Sequence, residues 1–260
     1  MPKLIIKINV DSTLERLGNN GLPTAMASGH AGQNPLFHKI AAHYVEFAPS
    51  ANTQIGFGDV LYHAPETTAG GSTAIDFSQS KLITPGNTFL ELPLSNLSPG
   101  SYQWARMSLS YQNYDVQFYY AGQPYTGTIA SFVGYNSYIQ QYTIKNQNIT
   151  VNANKLQGYW GFETINGVTT GQSPQGATTV PNPIFSTSPI PAGSCLVTGS
   201  FPTPLIITGD ETSDVVVTMN LSVNKSFEWI DSNGNNLWDV DNNENVVDMG
   251  LRGLFPTYSK

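Results

Sequence analysis

Charge is what this sequence has least of. Only 11% of its 260 residues are Asp, Glu, Lys or Arg, against roughly 25% in an average soluble protein. Lys and Arg total 11 and Asp and Glu 18, a net charge of −7. No basic stripe exists to meet phosphates, so a nucleic-acid partner is excluded. Long apolar runs are also missing. None approaches the roughly 18 residues of a membrane-spanning helix, so no transmembrane segment is expected. Cys195 is the single cysteine, which excludes an intramolecular disulfide and argues against a eukaryotic secreted framework. There is no GxSxG elbow, Walker loop, GxGxxG, HExxH or CxxC. Asp59, Glu91, Asp115 and Glu163 are the carboxylates available for glycosidase work, and nothing in the sequence sets two of them at the required separation. A non-enzymatic protein is expected, with a glycan-processing enzyme as the remote alternative.

Asn, Ser, Thr, Gly and Tyr take the place of the missing charge. Such surfaces suit exported β proteins, so the expected location is extracellular or the bacterial outer-membrane surface, with the periplasm as alternative. Met1-Pro2-Lys3 runs straight into a strand with no leader. The expectation includes a removed leader or a lipid anchor ahead of Met1.

Period 2 dominates. Leu4, Ile6, Ile8 and Val10 share one face of a strand over 3–11. Residues 40–48 and 57–63 form a hairpin across Ser50-Ala51-Asn52-Thr53, followed by a Gly/Thr/Ser loop at 66–73. Further strands are predicted at 88–94, 102–111, 114–121, 126–134, 138–151, 156–164, 194–201, 204–208 and 214–230. Residues 12–17 are the best helix candidate, with Ser12 as cap and Glu15 at capping-box spacing. A dozen short strands with frequent turns imply an all-β antiparallel β-sandwich, immunoglobulin-like or jelly-roll-like, elaborated with long loops. It is read as one domain over 1–260. The Gly/Pro/Ser/Thr-rich stretch 165–193 is read as a long loop, or as the connection at which a second sandwich begins.

The sharpest motif starts at Asp231. Asp231, Asn233 and Asn235 put side-chain oxygens at loop positions 1, 3 and 5, with Gly234 between them. Leu237 offers a carbonyl at position 7 and Asp239 sits at position 9. That spacing suits a hard cation needing six to eight oxygens. The segment resembles calcium loops of EF-hand and dockerin type. Asn242 stands where a bidentate acid is expected, so Asp241 or Glu244 has to substitute. An Asx-Gly turn in a solvated loop is the competing reading. Against it, five acids crowd residues 231–248 of an acid-poor chain.

All four histidines, His30, His38, His43 and His63, lie within residues 30–63. With the hairpin centred near residue 53, His43 and His63 stand opposite one another, about 4.5–5.5 Å apart at Cβ. Two imidazoles so placed can share copper or zinc. His38 joins only through a bulge, and His30 by folding back from its Gly-rich loop. Solvent-facing histidines with no ligand are the competing reading, since a one-residue slip turns every side chain over.

Residues 102–142 are dense in aromatics interleaved with Asn and Gln. Rings with nearby amides can bind sugars, and Tyr119, Tyr120 and Trp104 are the candidates. Core packing is the competing reading. The segment LSNLSPGSYQWARMSLSY (94–111) resembles an edge found in exported bacterial β-sandwich lipoproteins. Together with the His-containing strand before it, it resembles the copper-associated MbnP-like periplasmic proteins over about 70 residues. It lacks their paired cysteines and tryptophan-rich segment, so no copper ligand is carried over. The expected function is a calcium-stabilised surface protein binding a glycan or an envelope protein. A transition-metal binder using the histidines is the alternative.

Overall fold

The computed structural model describes residues 1–17, 22–173 and 194–260. The described residues are all-β, with three one-turn 3-10 helices and no α-helix. Among the described residues no helix is long and apolar enough to cross a membrane.

Three layers stack on a long central sheet. Its order is β13 (Gly167–Gln172), β12 (Tyr159–Thr164), β9 (Gln123–Phe132), β8 (Gly100–Tyr120), β3 (Leu36–Ala48) and β4 (Asp59–His63), and β14 (Cys195–Ile207) also pairs with β8. One face packs on a sheet of β18 (Arg252–Ser259), β15 (Val215–Ser222), β1 (Lys3–Asp11) and β7 (Thr88–Pro93). Leu4, Ile6 and Ile8 of β1 meet Val45, Phe47, Ala105 and Met107 in that core, as the alternation in β1 requires. The other face packs on β11 (Asn148–Leu156), β10 (Asn136–Thr143), β6 (Ala74–Asp76) and β5 (Glu66–Thr67). There Tyr111, Phe132, Ile139, Tyr142 and Tyr159 form a second core. A small sheet of β17 (Val246–Met249), β16 (Phe227–Ile230) and β2 (His30–Gln33) completes the fold.

Among the described residues the strands pair antiparallel except for two pairs, β1 with β15 and β10 with β6, which run parallel. Several expected boundaries move. β8 is one 21-residue strand rather than two. The polar Gln112-Asn113 pair in its middle is buried because Asn113 donates to the Ile144 carbonyl at 3.0 Å and Gln112 to that of Met249. The expected strand 138–151 is the β10–β11 hairpin, and 214–230 divides into β15 and β16. The helix expected at 12–17 is a bend, because Asp11 rather than Ser12 caps the backbone, accepting from Thr13 N at 2.7 Å. Part of the expected loop 165–193 is strand β13, and residues 174–193 lie outside the described residues.

Candidate metal centre

The β3–β4 hairpin is pinned at its turn by a buried ion pair. Arg106 lies 3.3 Å from Glu46, both nearly inaccessible. Arg106 also donates to the Ala51 carbonyl at 3.2 Å, and Glu46 accepts from Gly56 N at 3.1 Å and Gly58 N at 2.7 Å. These contacts fix the far end of the two strands that carry His43 and His63.

The register differs by one from the sequence expectation. Tyr44, not His43, pairs with His63. A bulge in β3 offsets the slip: Ala42 pairs with Leu109 and Tyr44 with Ser108, which leaves His43 as the extra residue. A bulge re-aims the side chain it carries, and here it turns His43 towards His63. The two Nε2 atoms are 3.2 Å apart and the ring centroids 4.9 Å. Glu66, the first residue of β5, completes the group. Its Oε1 lies 3.0 Å from His43 Nε2 and 3.4 Å from His63 Nε2. Among the described residues these three are the group of His, Cys, Asp or Glu whose donor atoms all lie within 4.8 Å of one another. Sequence reasoning missed Glu66, which lay in a stretch read as loop; its signal is the spacing His63-x-x-Glu66.

Burial is graded across the site. His43 is fully buried, Glu66 is 27% exposed and His63 is 43% exposed at the side chain. Desolvation holds the His43 pKa below the usual imidazole value of 6.5, and the neighbouring His63 adds to the effect against the opposing pull of Glu66. The hydrogen bond from His43 holds the Glu66 carboxyl below its usual value, despite partial burial. Tyr135 packs its ring 5.4 Å from that of His43 and its hydroxyl lies 3.3 Å from Glu66 Oε1. Burial, then the Glu66 charge, pushes the Tyr135 pKa well up. Tyr135 is therefore a neutral phenol that donates to Glu66 and helps aim it.

Three lone-pair atoms thus converge with edges of 3.2, 3.0 and 3.4 Å. A proton on His43 Nε2 satisfies one edge of that triangle. A dication satisfies all three. Two donors on a tetrahedral ion at about 2.0–2.1 Å stand about 3.3 Å apart, and at right angles about 2.9 Å. With bonds of about 2.1 Å the tetrahedral separation rises to about 3.4 Å, and the observed edges lie between these limits. His43 Nδ1 has no hydrogen-bond partner among the described residues. Metal-bound histidines usually donate that N–H, and losing the contact generally costs about 10–100-fold in affinity.

The other two histidines do not join. His38 lies 3.1 Å from Asp115, and His30 Nδ1 is 2.6 Å from Glu228, which also binds Arg16. Of the glycosidase candidates, Asp115 and Glu163 both pair with Thr128 of β9 and both contact Lys145, while Asp59 and Glu91 are held by other partners. Asp59 binds Ser98 and Tyr102, Glu91 binds Lys3, Asp115 binds His38 and Lys145, and Glu163 accepts from the backbone of 145–147. Cys195 is buried, which pushes its thiol up to about 12.

The Asp231 loop connects β16 to β17. Asp231 accepts from the N–H groups of Gly234, Asn235 and Asn236 at 2.9–3.2 Å. The amides of Asn233 and Asn235 both donate to Asp239 Oδ2, at 2.9 and 2.7 Å. Their oxygens accept from Asn235 N and Leu237 N. For the amide oxygens to face a cation beside Asp239, both side chains must turn over and give up those two bonds. Glu244 reaches back to Ser232 N and Asp239 N at 3.0 and 2.8 Å. Asp241 turns away to Ala121 N, and the Leu237 carbonyl accepts from the Trp229 indole.

Of the three aromatic candidates, Tyr120 lines a cavity. Tyr119 bonds Gln117, and Trp104 donates to Thr198. No family model matches the chain, and neither does any curated protein or solved structure.

Proposed function

We propose that the protein binds a transition-metal dication, zinc or copper(II), through His43 Nε2, His63 Nε2 and Glu66. The observation that carries this is the triangle of donor atoms, whose edges match those of a metal's coordination shell. Two imidazoles and one carboxylate suit zinc and copper over calcium or magnesium. His43 is held neutral and Glu66 ionised, so near neutral pH coordination requires only that the His43 proton pass from Nε2 to Nδ1. The half-exposed His63 leaves one side open to water or to a donor from another molecule. Together with the unpartnered His43 Nδ1, this describes an exchangeable site suited to capturing metal rather than a closed structural one. The low charge and the single cysteine support a place outside the bacterial cytoplasm. Equilibrium dialysis against buffered zinc and copper tests the reading. One equivalent retained by the wild type and none by the His43→Ala/His63→Ala variant is expected. Equal retention by both refutes it.

The Asp231 loop supports a second role, structural calcium binding. The supporting observation is the Asp231 carboxylate gathering three successive N–H groups while Asn233, Asn235 and Asp239 meet beside it. In this reading Glu244, not Asp241, takes the missing acid's place. Calcium would hold β17 in register with β16.

A further inference from the structure

A cavity of about 890 Å³ opens between the edge of the central sheet and the β16–β17 hairpin with its loop. Seven aromatic residues line it: Phe118, Tyr120, Tyr125, Trp160, Phe162, Phe227 and Trp238. Alternation in β12 places Trp160 and Phe162 on one face, while Tyr159 and Gly161 turn to the second core. Five of the rings, Phe118, Tyr125, Phe162, Phe227 and Trp238, are contiguous. Phe118 stacks on Tyr125 at 5.6 Å, and Trp238 meets Phe118 at 6.2 Å and Phe162 at 5.9 Å.

Two glycines set how the rings lie. Gly171 pairs with Trp160 across the β12–β13 ladder, and a Cβ there would fall 2.4 Å from the indole. A Cβ at Gly127 would fall 2.2 Å from the Phe162 ring. Both rings therefore rest over bare backbone and lie along the sheet rather than standing off it. At the mouth, Ile165 is 85% and Tyr120 55% exposed.

Charge narrows the ligand. Among the described residues no Lys, Arg or His lines the cavity, and Glu244 is the one carboxylate. Glu244 already accepts from Ser232 N and Asp239 N. Polar groups come mainly from the β12–β13 hairpin, such as Thr169 and Gln172, and the facing wall is largely aliphatic and aromatic. A volume near the top of the usual 300–1,000 Å³ range, apolar walls and a few hydroxyls and amides are the marks of a small-molecule site. A sugar needs hydrogen-bond partners all round its ring, which the inner wall does not offer.

We infer that this cavity binds an uncharged, predominantly apolar small molecule, its flat body laid on Trp160 and Phe162. The site is independent of the histidine centre. The probe is Nile red, an uncharged apolar dye, followed by its own emission and by quenching of tryptophan, since two of the four tryptophans line the cavity. Saturable one-to-one binding by the wild type is expected. Trp160→Ala and Gly171→Val should weaken it by about tenfold, the worth of one aromatic contact. Gly171→Val removes no ring and only displaces one. Ile165→Glu, at a fully solvated hairpin tip, keeps the fold and should weaken binding severalfold by placing a charge at the mouth. Absence of saturable binding to the wild type overturns the inference, as does unchanged affinity in Ile165→Glu and Trp160→Ala. Tryptophan shifts with maltose or cellobiose but not with Nile red would make it a sugar site, and would also overturn it.

Discussion

His63→Ala separates metal binding from folding. His63 is 43% exposed at its side chain, so its removal leaves no buried cavity. Its loss should change the stability of the metal-free protein within about 0.5–1 kcal/mol. The metal-dependent part is larger. An ion that binds the folded state only, at a hundredfold excess over its dissociation constant, adds about 2.7 kcal/mol. For a chain of this size each kcal/mol moves the melting midpoint by roughly 2 °C, so the gain is about 5 °C. Differential scanning calorimetry of wild type and His63→Ala, each with EDTA and with zinc, provides the assay. The wild type should gain about 5 °C with zinc, and the variant about 1 °C or less, while the two EDTA midpoints stay close. A variant that keeps the full zinc gain would refute the reasoning, because a site at His30 or His38 would then hold the ion. His43→Ala is a poorer probe. His43 is fully buried, and its removal destabilises the metal-free fold as well.

Other outcomes follow from the same contacts. The His43 pKa is lowered on folding, so its contribution to metal-free stability is complete above about 6.5 and is lost as pH falls from there towards the lower folded value. Urea melts of the metal-free protein from pH 7.5 to 5 should show that loss, and it should be absent in His43→Gln. Arg106→Ala strands the buried Glu46 charge and should cost about 3–5 kcal/mol, read as a lower urea midpoint with an unchanged slope. Thermal melts with EDTA and with calcium test the Asp231 loop. Saturating calcium should add about 5 °C to the wild type and nothing to Asp231→Ala. Identical midpoints in the wild type leave the loop as a hydrogen-bonded turn.

The parts of the fold legible in the sequence are those where one face is buried and the other wet. β1 announced itself by Leu4, Ile6 and Ile8, all fully buried. The β3–β4 hairpin followed from its polar turn. β18 was missed for a physical reason. It is an edge strand carrying Pro256, which an interior strand could not accept and which blurs the pattern. β13 (GVTTGQ) is an edge strand with no residue fully buried, so it has no alternation to read. The single span of β8 was hidden because Gln112 and Asn113 look like a turn until their buried carbonyl partners are known. Parallel pairing of β1 with β15 joins residues some 211 positions apart, and no local signal carries it. At the candidate metal centre, clustering of the histidines named two residues that the structure brings together, His43 and His63, and two that it does not. His30 and His38 answer to Glu228 and Asp115, which lie far off in sequence. The bulge that aims His43 and the carboxylate of Glu66 became visible only with the register.

Zinc K-edge X-ray absorption on protein loaded with one equivalent of zinc tests the central claim most directly. The account predicts two imidazole nitrogens and at least one oxygen at about 2.0–2.1 Å, with one imidazole lost in His63→Ala. A spectrum with one imidazole or none, or one unchanged in that variant, would contradict it.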